Sequence, residues 1–387
     1  MRFKFKGPGA IISLLVWAGF GTGQLSAATE YEVAQNEAEV AEQQENPDTQ
    51  GEEKKSSWGN FLTLPIVITE PAIGQGLGAS LIYFHGKKDG KDPKITTGRE
   101  FGKAGRRSKP PPTATGIFGF YTNNDSAAVG IGHTNSFLND TYRIVAAAAD
   151  ARINSKFFVA DTPFNFSLEG NLIYANLKRR LGESDVFFGI TTSYLDAKVN
   201  FKSNFQDFDF VDAGVAASLI YDTRDNTLMP ASGYIVDLTT WRYDQALGGD
   251  FDYSSARFKG LSYHTFAQQY VIGLRLDISQ ASGDVPFYAE PYVRLRGIPA
   301  LRYQGKTAGA VEIEARRRIG ERWSASVFTG AGSVDARFPQ AGTSDDIYTL
   351  GIGMRYLALK EEDAWVGIDI ARGPEDLAWY IQMGNSW

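Results

Sequence analysis

Past residue 58 the chain alternates with a period of two. In LGIGMRY, Leu350, Ile352, Met354 and Tyr356 share one face, and Gly351, Gly353 and Arg355 share the other. In VGIDIAR, Val366, Ile368 and Ile370 oppose Gly367, Asp369 and Ala371. In YVIGLRLDI, Tyr270, Ile272, Leu274, Leu276 and Ile278 oppose Gly273, Arg275 and Asp277. Successive strand side chains point to opposite faces, so each segment predicts a strand with one apolar and one polar face. Gly, Asn, Asp and Pro separate the segments, as turns do. A soluble sandwich would also alternate. Here, however, the polar face carries Arg, Asp and Gly, and aromatics such as Trp379 and Tyr356 stand towards the ends of apolar faces. That pattern fits a barrel with lipid outside and a polar lumen.

The N-terminus points to the same compartment. Arg2, Lys4 and Lys6 precede an apolar run from Ile11 to Phe20, and Ser26-Ala27-Ala28 offers a small-residue cleavage site. This is the pattern of a signal peptide, and about ten apolar residues are too few to span a bilayer. No later segment reaches the run of about 20 apolar residues that a membrane helix needs, so a membrane form must be a closed barrel. The chain has no Cys, which excludes disulfides and a lipidated cysteine anchor. Its 41 Gly, 18 Tyr, 25 Phe and 7 Trp suit β-structure and membrane interfaces, whereas 43% hydrophobic residues is too polar for a helical membrane bundle. A net charge of −6 gives no reason to expect nucleic acid as partner. Glu30 to Ser57 holds nine Asp or Glu without apolar periodicity and reads as a disordered linker. The expected organisation is a signal peptide over 1–28, an acidic linker over 29–57 and an all-β membrane barrel over 58–387.

Counting alternating segments predicts sixteen antiparallel strands, centred near residues 80, 119, 130, 145, 156, 173, 191, 217, 238, 259, 275, 313, 328, 352, 368 and 382. An even number suits a closed barrel with both ends on one side. With the N-terminus in the periplasm, the long connections Gly86–Ala114, Asn200–Phe210, Gly283–Lys306 and Asp335–Asp345 face outward. The first contains nine Lys or Arg against three acids, so it is either a solvated loop or a contact for lipopolysaccharide phosphates.

One outward connection breaks the pattern. RLRGIPALRYQGK, Arg294 to Lys306, is cationic and irregular, and the strand after it, AVEIEARRRI, sets Glu312, Glu314, Arg316 and Arg318 on one face. In water this is an ordinary basic loop. Folded into the lumen, Arg296 would form a charge-assisted pair with Glu314 or Glu312. A second motif is YDTRDNTLMPASG, in which Asp225, Pro230 and Gly233 suit a tight turn and Asp222 and Arg224 are placed to pair. Catalysis finds little footing. His133, Asn135 and Ser136 are types that hydrolases use, but in HTNS their side chains alternate across a strand. No cluster has metal-ligand or cofactor-binding spacing.

Residues 211–387 resemble the BamA/TamA superfamily of outer-membrane assembly barrels, also called bacterial surface antigens. Leu295-Arg296-Gly297-Ile298 is similar to its VRGF/Y motif, Glu314-Ala315-Arg316 to its Glu-x-Arg strand, Tyr221–Gly233 to its Asp-x-Arg-Asp turn, and the closing GIDIARGPEDLAWYIQMGNSW to its last two strands. The resemblance implies a loop folded into the lumen with Arg296 and Gly297 docked against Glu312 and Glu314. It implies Trp387 as a terminal signal, closing the last strand, read by the outer-membrane assembly machinery. It implies no enzymatic activity, but insertion or translocation of outer-membrane components through the seam between first and last strands; the glycines Gly74, Gly76 and Gly78 are compatible with a weak seam. Three departures stand out. Ile298 replaces an aromatic, Gly330 occupies a position where an inward Asp is common, and the roughly thirty residues before the barrel leave no room for POTRA domains. A periplasmic partner is therefore expected beside lipids and lipopolysaccharide. The competing class is a passive channel or structural surface protein.

Overall fold

The computed structural model describes residues 61–85, 113–159, 162–202, 206–226, 229–267, 269–336, 347–359, 364–385 and 387. The expected signal peptide and acidic linker lie outside the described residues. Sixteen strands follow in order: β1 (Phe61–Ile68), β2 (Gly76–Phe84), β3 (Ala114–Thr122), β4 (Ala127–Phe137), β5 (Tyr142–Val159), β6 (Thr162–Arg180), β7 (Val186–Phe201) and β8 (Phe208–Asp222) form one half. β9 (Gly233–Tyr243), β10 (Tyr253–Phe266), β11 (Tyr270–Gly283), β12 (Gly305–Ile319), β13 (Trp323–Ala336), β14 (Ile347–Leu359), β15 (Ala364–Arg372) and β16 (Leu377–Met383) form the other. Each pairs antiparallel with its sequence neighbours in a single sheet, which curls into a nearly closed barrel. The fold class is the all-β, sixteen-stranded barrel that the alternation predicts.

The two faces divide as expected. On β12, Ala308, Ala310, Glu312, Glu314 and Arg316 are buried in the lumen, whereas Val311, Ile313 and Ile319 are exposed on the lipid side. Leu350, Ile352 and Met354 of β14, and Val366, Ile368 and Ile370 of β15, likewise face outward. Aromatic pairs mark the interface at the end where β1 starts and β16 ends: Phe61–Tyr83 at 4.8 Å, Phe137–Tyr142 at 5.4 Å and Trp323–Tyr356 at 4.8 Å between ring centroids. An aromatic girdle at a bilayer boundary is typical of such barrels.

Two compensating differences lie behind the matching count. Phe61–Ile68, not a segment near residue 80, is the first strand, and the segments near 145 and 156 are one eighteen-residue strand, β5. Pro65 hides β1: proline cannot donate to a ladder, so its presence argues against an interior strand, yet it is tolerated on an edge. Edge is what β1 is. It touches β16, but among the described residues no ladder joins the two. Gly76 and Gly78 therefore sit in β2, paired to Thr122 and Phe120 of β3, and do not belong to the seam.

The shift by one strand also reverses one end assignment. Phe84 and Ala114, which flank the basic connection, pair at the same end as Phe61, the end expected to face the periplasm, opposite the connection between β11 and β12. The basic connection itself lies outside the described residues, but its flanks remove the reason to expect it at the lipopolysaccharide surface.

Candidate functional site inside the barrel

Residues 284–304, between β11 and β12, run through the lumen. The first half anchors by apolar contact. Phe287 packs 4.5 Å from Phe157 of β5 and 5.1 Å from Phe166 of β6, and Tyr288 lies 5.3 Å from Phe210 of β8. These are inward residues, joined by Leu168, Leu195 and Val199 in one buried cluster. The outer half of the lumen is apolar because the loop covers it, an anchor absent from the sequence expectations. Irregular backbone at this depth is tolerated because protein surrounds it.

The second half anchors by charge. The Arg296 side chain is 7% exposed and meets three carboxylates. Its Nε and Nη2 donate to Glu312 Oε1 at 3.0 and 2.6 Å, and its Nη1 donates to Glu314 Oε2 at 2.9 Å and Asp369 Oδ2 at 2.8 Å. The guanidinium carbon lies 3.3 Å from the centroid of the Phe328 ring. Arg355 of β14 donates to both oxygens of Asp369, Oδ1 at 2.5 Å and Oδ2 at 3.0 Å, and Gln382 of β16 also donates to it. Asp369, from β15, is the third carboxylate of the cluster. A Cβ at Gly330 would meet Leu295 Cδ2 of the loop at 2.7 Å, so a larger residue there requires that side chain to shift. Phe328, not residue 298, supplies the aromatic surface; Ile298 is buried in a separate apolar cluster with Val293 and Leu295.

Gly297 makes the turn possible. Its φ is +92°, a region that side chains disfavour, and its N–H donates to Tyr380 Oη of β16 at 2.9 Å. Its carbonyl oxygen packs so closely on Gly373 that a Cβ there would approach to 2.2 Å. The loop also reaches across the seam. Ala300 donates its N–H to Glu70 Oε1 at 3.1 Å, just beyond β1, while Arg302 pairs with Glu375 between β15 and β16.

Two further motifs meet the same strand, β12. In the turn between β8 and β9, Arg224 and Asp222 pair at 2.9 and 2.8 Å, and Asp225 Oδ1 accepts from the N–H groups of Ala231 and Ser232 at 3.0 and 3.2 Å. Gly233 has a φ of +97°, and a Cβ would lie 2.3 Å from the Thr223 carbonyl. The Pro230 carbonyl accepts from Arg316 of β12, so the turn is docked in the barrel mouth and not merely a hairpin. The C-terminus departs from expectation. Trp387 does not close the last strand: β16 ends at Met383, Gly384 takes a φ of +71°, and the chain turns into the lumen. There the Trp387 indole donates to Glu312 and lies 6.0 Å from Tyr263. Asn385 donates to Tyr263 Oη at 2.8 Å and accepts from Arg316 at 3.4 Å, roles that an apolar residue could not fill.

The hydrolase arrangement does not form. His133 bonds Thr115 at 2.8 Å, whereas Ser136 donates to Asp140 at 2.8 Å from the other face of β4.

A family model described as the Omp85 superfamily domain matches residues 68–294. No curated protein sequence matches the chain. Among solved structures, BamA from Haemophilus ducreyi lacking POTRA domains 1–3 is similar with a TM-score of 0.58 and 13% identity, over 84% of this chain and 69% of that one. CdiB from Acinetobacter baumannii gives 0.53 and 9%, over 84% of this chain and 59% of that one. CdiB from Escherichia coli gives 0.59 and 8%, over 84% and 63%. The chain thus spans about three fifths of the CdiB chains it resembles.

Proposed function

The chain belongs to the Omp85 superfamily, and from that membership we propose that it inserts or translocates outer-membrane components by parting β1 from β16. It is an outer-membrane barrel, and barrels of this kind are non-enzymatic assembly or translocation proteins. The observation that carries the proposal is the seam, where the strands touch without a ladder. A closed ladder would cost about 1 kcal/mol for each hydrogen bond broken on opening, and this seam avoids that cost. The Arg296 cluster acts as a lock, because its loop bonds to both sides of the seam through Glu70 and Tyr380. The periplasmic turn and Trp387 support that lock through β12. Its partners are outer-membrane lipids and lipopolysaccharide, the outer-membrane assembly machinery and a periplasmic partner that delivers clients.

The absence of Cys makes a direct test possible. Val67→Cys in β1 and Trp379→Cys in β16, joined by a short bifunctional reagent, should hold the seam shut. Cells depleted of the native protein and supplied with the cross-linked form should lose particular outer-membrane proteins in quantitative proteomics, and a cleavable reagent should restore them. Full activity of the cross-linked barrel would remove the seam from the mechanism and leave a passive channel as the reading.

A further inference from the structure

We infer that the lumen holds a binding site for a phosphate-class anion, on the wall formed by β9, β10 and β11. The inference does not depend on the seam. It begins with a charge imbalance. In the lock, Arg296, Arg316 and Arg355 face Glu312, Glu314 and Asp369, and the charges balance. On the adjacent wall Arg257, Lys259, Arg275 and Arg294 face Asp277 and Asp237, and Arg275 also stands in register with Glu312 of the lock, so across the two groups seven cations face five carboxylates.

Both carboxylates already accept hydrogen bonds. Asp277 accepts from Arg257 Nε at 3.0 Å and Nη2 at 2.6 Å and from Arg275 Nη2 at 2.9 Å, with Arg294 Nη1 at 4.0 Å. Asp237 accepts the Thr239 hydroxyl at 2.7 Å. What remains is donor capacity. Lys259 stands between Asp237 and Asp277 in register, yet among the described residues no carboxylate lies within 4.0 Å of its ammonium. Arg275 Nε is buried with no acceptor, although its side chain is only 11% exposed. Buried donors are nearly always satisfied, and this one retains capacity for a water or an ion. Arg294, held by its stack on Tyr292 at 4.1 Å and by Ser279 at 3.2 Å, brings a further guanidinium from the loop.

A tetrahedral oxyanion supplies what this wall lacks: negative charge and several acceptor oxygens for forked donors. Chloride offers charge without that geometry. The chemistry is a phosphate, either the free ion or the headgroup of a phospholipid.

The test uses the refolded full chain in detergent, titrated calorimetrically with inorganic phosphate and with pyrophosphate at constant chloride. Saturable binding is expected. Lys259→Gln leaves every ion pair above intact and should weaken binding roughly tenfold, the scale of one charge-assisted hydrogen bond. Lys259→Arg should retain it. Heat-modifiability on gels confirms that each variant is folded. Competition by short-chain phosphatidic acid would assign the site to a lipid headgroup, and its failure to compete would assign it to the free ion. Absence of saturable binding to the folded wild type, or binding indifferent to Lys259→Gln, overturns the inference.

Discussion

Arg296→Ala removes the one cation shared by Glu312, Glu314 and Asp369, side chains that are 0, 5 and 0% exposed. Losing one member of a buried ion pair typically costs about 3–5 kcal/mol, because the remaining charge stays out of water without compensation. Three carboxylates do not triple that figure. Arg355 still neutralises Asp369, and Trp387 still donates to Glu312. Glu314 keeps only Arg316, at 4.0 Å. The cost therefore belongs within the single-pair range. With a urea dependence of about 3 kcal/mol per molar, the unfolding midpoint of the refolded barrel should fall by roughly 1–1.7 M.

Arg296→Lys separates charge from shape. An ammonium keeps the charge but not the planar fork, and it cannot reach carboxylates on both β12 and β15. Its midpoint should lie close to that of the alanine variant. Protease added outside intact cells gives an independent reading, since a released loop exposes cleavable backbone. A wild-type midpoint together with unchanged protection would refute the reasoning: the cluster would then contribute no net stability, and the loop would be held by its other contacts, Phe287, Tyr288 and Arg302 among them.

Three further outcomes are expected. Gly297→Ala forces a φ of +92° on a side chain and places Cβ 3.0 Å from the Gly373 nitrogen, so it should cost about 1–3 kcal/mol and raise protease sensitivity without altering any charge. Burial holds the Glu70 carboxyl above its ordinary value of 4.5, against two backbone donors that favour ionisation. A raised native value stabilises most below the unfolded value and loses that contribution as pH rises through the native one. Glu70→Gln keeps the acceptor and should flatten the fall in urea midpoint between pH 4 and pH 8; an identical slope would count against this. Deleting Trp387 should lower the fraction of heat-modifiable, folded barrel on gels and shift its urea midpoint, by exposing the Glu312 and Arg296 pair to water.

The strands past β6 were legible because lipid outside and water inside impose an alternation that nothing else on the chain obscures. The signal weakened where lipid ends. Asp150 and Arg152 of β5 point outward, and Arg152 pairs with Glu169 of β6 at 3.0 Å in exposed positions. An outer face beyond the bilayer has no reason to be apolar, so one long strand read as two. The docking of Arg296 on Glu312 and Glu314 was within reach, since residues 16 and 18 positions away shared a predicted inward face. Asp369 also lay on a predicted inward face, but it is 73 residues from Arg296, and alternation assigns a face without assigning neighbours across a lumen. The apolar anchor escaped for a related reason. A water-filled lumen gives inward aromatics no partner, and only a loop already folded inside makes Phe157, Phe166 and Phe210 favourable inward residues.

The lock and the seam share side chains, which ties barrel stability to seam opening. Asp369 binds Arg296 of the loop and also Gln382 of β16, and Tyr380 of β16 holds Gly297. On the other side, Glu70 beyond β1 holds Ala300. With no ladder between them, β1 and β16 are linked through a segment whose charged half is centred on the Arg296 guanidinium. Any event that lifts the loop therefore releases both edges, and any client strand that pairs with β1 or β16 and displaces those contacts weakens the loop by the same free energy. The three inward residues of β12 extend that reciprocity to the periplasmic side. Glu312 takes the C-terminal indole, Glu314 takes the loop, and Arg316 takes the Pro230 turn. Positions two apart on a strand are about 6.8 Å apart, so loop, turn and tail dock on one short rail spanning about 14 Å. A perturbation at the periplasmic mouth then reaches the outer loop through neighbouring side chains, with no movement of the barrel wall required.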